Sequence, residues 1–163
     1  MWFLIVVLLI ITILFGVEIE QKEVKSPYNL LKMATYFLFY VMVTFEIIKQ
    51  VWNTSIINKN VILGLISGYI SLGLIGFFVC FSIEIAVPNS FQIVSTSFSE
   101  TLTESLIYFS YITLLTIGYG DILPVAPLAH KAAILIGLMG QFYLVIITAI
   151  VVGKYLNQLS NKT

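Results

Sequence analysis

The sequence predicts an all-α integral membrane protein with four transmembrane helices and one shorter helix that enters the membrane without crossing it. Of the 163 residues, 60% are hydrophobic and only 10% are charged, and the mean hydropathy is +1.04. A soluble domain carries about 25% charged residues to keep its surface hydrated, so this composition excludes an ordinary globular enzyme. The apolar residues also fall into long runs separated by short polar gaps, which is typical of a membrane protein.

Four apolar runs are candidates for the spanning helices, because about 20 apolar residues cross a bilayer core of about 30 Å. The first run, 1–17, is short, but no Lys or Arg precedes it, unlike the start of a secretory signal peptide. We therefore interpret it as a first spanning helix. The other three predicted helices are 30–51, 61–87 and 128–153.

These runs divide the chain into an N-terminal part and a C-terminal part. Residues 1–52 form a pair of transmembrane helices, and residues 53–60 form a linker. Residues 61–153 contain an outer helix, a polar loop, a short helix, a glycine-rich loop and an inner helix, at 61–87, 88–101, 102–115, 116–121 and 128–153. The remaining residues, 154–163, are predicted to be a tail too short to hold a ligand-binding domain.

The run 102–115 is too short to span the membrane, since as a helix it would reach only about 20 Å. Thr101 and Glu104 match a capping box, in which the hydroxyl and the carboxylate satisfy free amides of the first turn. The alternative is a chance match in a loop rich in Ser, Thr and Glu. Because a half-spanning helix runs into Gly118 and Gly120, we predict a re-entrant segment. Non-helical backbone at that depth survives only where protein or water covers it, so the loop is predicted to line a pore.

Residues 116–121 read TIGYGD and form the most informative window of the chain. Glycines at alternate positions allow backbone conformations forbidden to residues with a Cβ, so successive carbonyl oxygens can turn toward one axis. Four copies make rings of oxygens that replace the hydration shell of a potassium ion, whereas one copy supplies only a fraction of the ligands. The chain has one such segment and no internal repeat, so a homotetramer is implied. The alternative for a Gly-Tyr-Gly triplet alone is a surface turn.

Residues 108–121, YFSYITLLTIGYGD, resemble the pore helix and selectivity filter of the potassium channel superfamily. The chain is most similar to small prokaryotic channels with the two-helix ion-channel pore module, and the resemblance covers 61–153 but not the first two helices. It implies that K+ ions bind the backbone carbonyls of four residues, with the threonine hydroxyl at the innermost site: Thr116, Ile117, Gly118 and Tyr119. It also implies that five residues support the filter: Gly120, Asp121, Tyr108, Phe109 and Thr113.

Three positions within this resemblance refine the expectation. The family often carries Val at the position of Ile117, and this exchange removes no carbonyl. Some bacterial members have an acidic residue at the position of Ile112 that tunes slow inactivation, so that form of inactivation is not expected here. Relatives that also pass sodium commonly have a small or acidic residue at the position of Tyr119, so tyrosine favours potassium selectivity.

Tyr108 and Phe109 are expected to form an aromatic cuff around the filter. The alternative for Tyr108 is an aromatic side chain at the membrane interface.

The inner helix carries the candidate gate. Gly140 falls where the resemblance places a hinge glycine, although small residues in membrane helices also serve close packing. The 3.6-residue period aligns four residues that the resemblance turns toward a water-filled cavity: Gln141, Leu144, Thr148 and Val152. Leu144 and Val152 are expected to constrict the pore by dewetting. Hydrogen bonding between helices is the alternative role for Gln141 and Thr148.

Lysine placement, taken with the resemblance, orients the chain. A filter loop of this family enters from outside, so the linker 53–60 and both termini are predicted to be cytoplasmic. Lys49 and Lys59 flank the linker, and Lys154 and Lys162 follow the inner helix, in agreement with the positive-inside rule. Lys22 and Lys25 fall in a predicted outside loop and weaken the argument.

The resemblance implies a homotetrameric, potassium-selective channel of the cell membrane that conducts K+ ions passively and contacts lipids. The chain has no arginine and no regular lysine series, so a voltage sensor is not expected. The basic residues form no stripe, so nucleic acid is not an expected partner. One His, one Cys and one Asp, not grouped together, argue against an enzyme. The alternatives are a weakly selective cation channel and a non-conducting membrane scaffold or regulatory subunit.

Overall fold

The structure is a computed structural model that describes residues 27–54, 56–94 and 101–160, so the predicted first helix at 1–17 lies outside the described residues. The elements follow one another as α1 Pro27–Asn53, α2 Lys59–Ala86, β1 Phe91–Ile93, α3 Leu102–Leu114, β2 Ile122–Pro124, α4 Pro127–Phe142, a π-helical turn Tyr143–Ile147 and α5 Thr148–Ser160. In this part of the chain three helical stretches are long and apolar enough to span a membrane: Ala34–Asn53, Lys59–Ala86 and Pro127–Ser160. The prediction of an all-α membrane protein is confirmed.

Helix α2 is central among the described elements, because α1, α3 and α4 all pack against it. On the α1 side, the rings of Tyr36 and Tyr40 stack on Phe78 with centroid separations of 6.2 and 6.0 Å. Phe77 and Phe81 continue this aromatic cluster along α2. Close packing of these rings stabilises the contact between the two helices.

Small residues on α2 let the short helix α3 approach closely. A Cβ added at Gly73 would collide with the Tyr111 ring, and one added at Gly76 would collide with the Ser110 hydroxyl. Helices in lipid associate through such tight packing, since lipid tails are as apolar as the side chains themselves. The two glycines therefore fix the distance between α3 and α2.

The turn after α2 is held by an acidic side chain. The Glu84 carboxylate accepts hydrogen bonds from the backbone amides of Asn89, Ser90 and Phe91 at 2.7, 2.9 and 3.2 Å. The chain then enters β1, which pairs antiparallel with β2 so that Phe91 lies opposite Pro124. The predicted loop 88–101 thus contains a strand, which was not expected because three residues are too few for a period-2 pattern to show.

The structure differs from the prediction at the end of the chain. The predicted tail 154–163 is helical as far as Ser160, because α5 continues the inner helix through Gly153. A single glycine inside a helix costs only about 1 kcal/mol relative to alanine, so it need not end the helix. Lys154 donates hydrogen bonds to carbonyls at and just after the end of α1, and Gln158 accepts one from the amide of Ile57; these bonds hold the extension in place.

Candidate functional site

The short helix α3 begins at the predicted capping box. The amide of Glu104 donates to the Thr101 hydroxyl oxygen at 3.3 Å, and the Thr101 amide donates to the Glu104 carboxylate at 2.8 Å. The prediction of a capped helix start is therefore confirmed. The hydrogen bonds from the Thr101 amide and hydroxyl hold the pKa of the Glu104 carboxyl below its ordinary value.

Two hydroxyl groups fasten α3 to the central helix. The buried Ser110 hydroxyl donates to the carbonyl of Gly73 at 2.7 Å, and the Tyr111 hydroxyl donates to the carbonyl of Ile70 at 2.8 Å. Polar groups in an apolar environment are stable only when paired, so these bonds fix both the rotation and the depth of α3.

The C-terminal end of α3 lies between α2 and α4. The Tyr69 hydroxyl donates to the Leu114 carbonyl at 3.2 Å. On the other side, a Cβ at Gly140 of α4 would collide with the same carbonyl oxygen. The end of α3 is therefore fixed by both long helices, and the residues after it start from a defined position.

After α3 the chain folds back along the helix it has just left. The amide of Thr116 donates to Thr113 O at 3.0 Å, and the amides of Ile117 and Gly118 donate to Ile112 O at 2.8 and 3.4 Å. In a trans peptide the N–H and the C=O point in opposite directions. Because the amides of Ile117 and Gly118 point toward α3, the carbonyls of Thr116 and Ile117 point away from it, to one common side.

The backbone of this segment alternates between ordinary and left-handed conformations. The φ angles of Thr116, Gly118 and Gly120 are +58°, +57° and +81°. Glycine adopts these values readily, whereas a β-branched residue such as threonine pays roughly 1–3 kcal/mol of local strain. Strain of this kind persists only where the surrounding contacts over-determine the backbone, and it marks Thr116 as a candidate functional position.

Among the described residues, none donates a hydrogen bond to the backbone carbonyls of 116–120, whereas Asp121 O accepts one from the Val94 amide at 2.8 Å. Two side chains of this segment are also exposed: Tyr119 is 71% exposed and Ile117 is 47% exposed. For a segment predicted to lie at membrane depth, a consecutive row of carbonyl oxygens without donors is unusual, because unpaired backbone groups are costly in lipid. Such a row is suited to binding a cation that has lost its water.

The far end of the segment is fixed by side chains. The Tyr108 hydroxyl donates to Asp121 Oδ2 at 2.6 Å, and Asp121 Oδ1 accepts from the amide of Ile122 at 3.1 Å. Phe109 lies elsewhere: it is buried and packs edge-on against Phe91 of β1 at 5.1 Å. The two residues of the predicted aromatic cuff therefore have different partners: Tyr108 bonds the end of the segment 116–121, and Phe109 packs in the core.

The inner helix is irregular at the predicted gate. The turn Tyr143–Ile147 is π-helical, so it contains one residue more than an α-helical turn and rotates the residues beyond it by roughly 100°. The period of 3.6 that aligned Gln141 with Thr148 and Val152 is therefore interrupted between them. The assignment of these residues, with Leu144, to a cavity stays a prediction.

A groove of about 230 Å³ separates α2 from the π-helical turn. Leu144 and Thr148 line it together with Tyr69 and Tyr143, while Gln141 and Val152 lie outside it. The Tyr143 hydroxyl closes one side by donating to the carbonyl of Leu65 at 2.7 Å. Two of the predicted cavity residues therefore face α2 within this subunit.

Several residues that build the site were not singled out in the sequence, namely Tyr69, Ser110, Tyr111 and Tyr143. Each is a hydroxyl-bearing residue within an apolar helix, and each donates to a carbonyl of a neighbouring helix. A polar group within the bilayer needs a hydrogen-bond partner, so these isolated hydroxyl groups could have indicated contacts between helices. The partner of each hydroxyl could not be read from the sequence.

Comparison with curated proteins and with solved structures finds no match. A family model described as ion channel matches residues 64–157, which is more than half of the chain. The match begins in α2, includes α3 and the whole returning segment, and ends in α5. Membrane-spanning helices, a row of carbonyls without donors and this match agree with passive ion conduction. The chain belongs to the ion channel family.

Proposed function

We propose that the protein is a potassium-selective channel in which four identical subunits surround one conduction path. The observation that carries the proposal is the row of carbonyl oxygens at 116–120, which accept no hydrogen bond from the described residues and follow a backbone of alternating handedness. Carbonyl oxygens in such a row can take the place of the water around K+. The K+ ligands would be the carbonyls of Thr116, Ile117, Gly118 and Tyr119, with the Thr116 hydroxyl at the innermost site.

Coordination of a dehydrated ion needs oxygens from several copies of the segment, and we propose four. One subunit presents its carbonyls from one side only, so a dehydrated ion beside it would keep most of its ligand positions empty. A closed ring of identical subunits supplies equivalent oxygens from every side, and closed symmetry is the usual form of soluble and membrane homo-oligomers. The high exposure of Tyr119 and Ile117 in one subunit is consistent with their lying at such a shared axis.

Selectivity would depend on how firmly the carbonyls are held. Three features restrain the segment from behind: the amides bonded to Ile112 O, the Tyr108–Asp121 hydrogen bond and the fixed end of α3. A restrained ring favours the ion whose size fits the oxygens, whereas a loose ring also accepts smaller ions. Gly120 and Thr113 support the same turn through backbone contacts and conformation.

The proposed topology places both termini and the linker between α1 and α2 in the cytoplasm, with the filter entered from outside at the cell membrane. Lys49, Lys59 and Lys154 lie near the helix ends that are remote from the segment 116–121. Clusters of lysine beside short loops favour the cytoplasmic side. With no arginine series in the chain, gating by voltage is not part of the proposal.

The experiment is a reversal-potential measurement on the purified full chain in planar bilayers with opposed potassium and sodium gradients. We expect a reversal potential near the potassium equilibrium value and block of the current by barium. A potential between the two equilibrium values would instead favour a weakly selective cation channel. A protein that inserts and assembles but passes no barium-sensitive current would favour a non-conducting scaffold or regulatory subunit.

A further inference from the structure

The last part of the inner helix has little packing to hold it. No residue of α5, Thr148–Ser160, is buried. The whole helix Pro127–Ser160 has 34 residues and is therefore about 51 Å long, which exceeds a hydrocarbon core of about 30 Å. Since α4 starts beside the filter segment, the excess length emerges at the opposite end of the pore.

One lysine links this exposed end of the inner helix to α1. Lys154 Nζ donates to the backbone carbonyls of Val51, Trp52 and Thr54 at 3.0, 2.6 and 2.7 Å. The last carbonyls of a helix have no partner within it and carry its negative dipole end. Helix α1 has no basic residue in its own last turn, so Lys154 supplies the cation from a different helix.

A second side chain, one helical turn further on, bonds the same segment. Gln158 Oε1 accepts from the backbone amide of Ile57 at 2.9 Å. Residues four apart lie on one face of a helix, so both side chains contact the end of α1 and the segment after it from the same face of α5. We call Lys154 and Gln158 the helix clamp. A lysine that satisfies three carbonyls makes strong, charge-assisted hydrogen bonds.

The inner helix is thus fixed at two points with an irregular turn between them. Toward the filter, Gly140 is packed against the carbonyl of Leu114. Toward the other end, the helix clamp holds α5 to α1. Between them lies the π-helical turn Tyr143–Ile147, a geometry that can revert to α-helix by shifting one residue in register. Displacement of the clamped end would therefore be absorbed in this turn, beside the predicted gate residues.

We infer that Lys154 and Gln158 are positioning residues that couple α1 to the pore-lining helix, so that the position of α1 sets the fraction of time the pore is open. The inference rests on the proposed channel function. It assigns a role to α1, which precedes the pore and lies outside the family match at 64–157. The coupling acts on the gate and not on the filter, because Lys154 lies at the end of the helix opposite the filter segment.

Single-channel recording tests the coupling. Lys154→Met keeps the aliphatic stem but removes the donors, and we expect the ratio of open to closed time to change roughly tenfold, as loss of a charge-assisted hydrogen bond in one of two states allows. Unitary conductance and reversal potential should stay at wild-type values. Lys154→Arg, which keeps the charge, should restore most of the wild-type ratio. Lys59→Met is the matched control, since the Lys59 side chain makes no hydrogen bond among the described residues.

Hydrogen exchange on the same variants reports on the clamp without requiring conduction. Lys154→Met should speed exchange of the amides of Ile57 and of α5, and Lys59→Met should not. Faster exchange together with a changed open ratio supports the inference. Faster exchange with an unchanged open ratio would overturn the coupling, and unchanged exchange would overturn the clamp itself. If the wild-type protein passes no current, the proposed function fails, and the coupling to a gate fails with it even where exchange still detects the clamp.

Discussion

At Gly118 the backbone holds φ at +57°, and a Cβ built there meets nothing within 4 Å. A side chain would therefore fit here, and glycine is required because the backbone is left-handed. Gly118→Ala would place a methyl group on a left-handed residue at a cost of roughly 1–2 kcal/mol, enough to turn the peptide and remove a carbonyl from the row. We expect loss of selective conduction with normal membrane insertion, measured as potassium flux into liposomes that contain the purified variant.

Gly64 provides the control for that substitution. A Cβ at Gly64 also meets nothing within 4 Å, but this glycine lies inside α2 with an ordinary helical φ. Gly64→Ala should therefore leave the flux unchanged and raise helix stability by about 1 kcal/mol. Selective flux of wild-type size through Gly118→Ala would contradict the role of the left-handed backbone.

An irregular backbone at 116–121 could be anticipated from the sequence, whereas the role of these residues as K+ ligands stays a prediction. Alternating glycines indicate a backbone that departs from helix and strand, and the left-handed φ of Gly118 and Gly120 agrees with this expectation. The left-handed φ of Thr116 could not be read in the same way, since β-branched residues rarely adopt it. Nor could the acceptor role of Ile112 O, because every residue carries the same carbonyl.

At the scale of elements, the close contact between α3 and α4 depends on the absence of a Cβ at Gly140. Gly140→Ala would drive a methyl group into the carbonyl oxygen of Leu114, and a backbone atom cannot move aside cheaply. Overpacking of this kind costs roughly 1–3 kcal/mol, so we expect the thermal midpoint of the purified protein to fall by about 2–10 °C. The same substitution should impair conduction, because α3 leads directly into residues 116–121, the proposed filter.

A hinge role and a packing role for Gly140 predict different results for the Gly140→Ala substitution.

 A hinge role predicts a changed open probability with an unchanged thermal midpoint, whereas a packing role predicts a lower midpoint. Comparison with Gly64→Ala, which adds the same methyl group to an open site on α2, separates the local collision from a general effect of alanine. An unchanged midpoint in Gly140→Ala would contradict the packing role.

The start of α3 should respond to pH. The Thr101 amide and hydroxyl lower the pKa of the Glu104 carboxyl from its ordinary 4.5, so the carboxylate stabilises the folded helix start. This contribution is present above the ordinary pKa and is lost as the pH falls through the lowered value. We expect the difference in thermal midpoint between wild type and Glu104→Gln to be constant from neutral pH to about pH 5 and to shrink below it. A difference that grows on acidification would contradict this cap.

The helices were predictable as elements because each has a continuous apolar run or a cap in the sequence. The predicted outer helix 61–87 compares with Lys59–Ala86, and the predicted short helix 102–115 with Leu102–Leu114. The pairing of β1 with β2 could not be predicted, since it joins three-residue segments that precede α3 and follow residues 116–121. The π-helical turn was also missed, because it has no known residue pattern, and it interrupts the period on which the gate stripe was based.

At the scale of the whole molecule, the subunit has a pore part and a part that precedes it. The family match covers 64–157, and α1 lies outside it while packing along α2 through Tyr36 and Tyr40. The sequence offered no chemistry for this helix. Its contact with Lys154 depends on residues about 100 positions apart in the chain, a relation that no local pattern contains.

The central claim is that peptide oxygens from four subunits bind dehydrated K+ on a shared axis. Anomalous diffraction from crystals of the full chain grown with rubidium or thallium salts, both of which substitute for potassium, tests it most directly. We expect a column of anomalous peaks on a four-fold axis, within coordination distance of the carbonyls of Thr116, Ile117, Gly118 and Tyr119. A monomer in lipid, or an assembly whose four-fold axis carries no anomalous peak beside these carbonyls, would contradict the account.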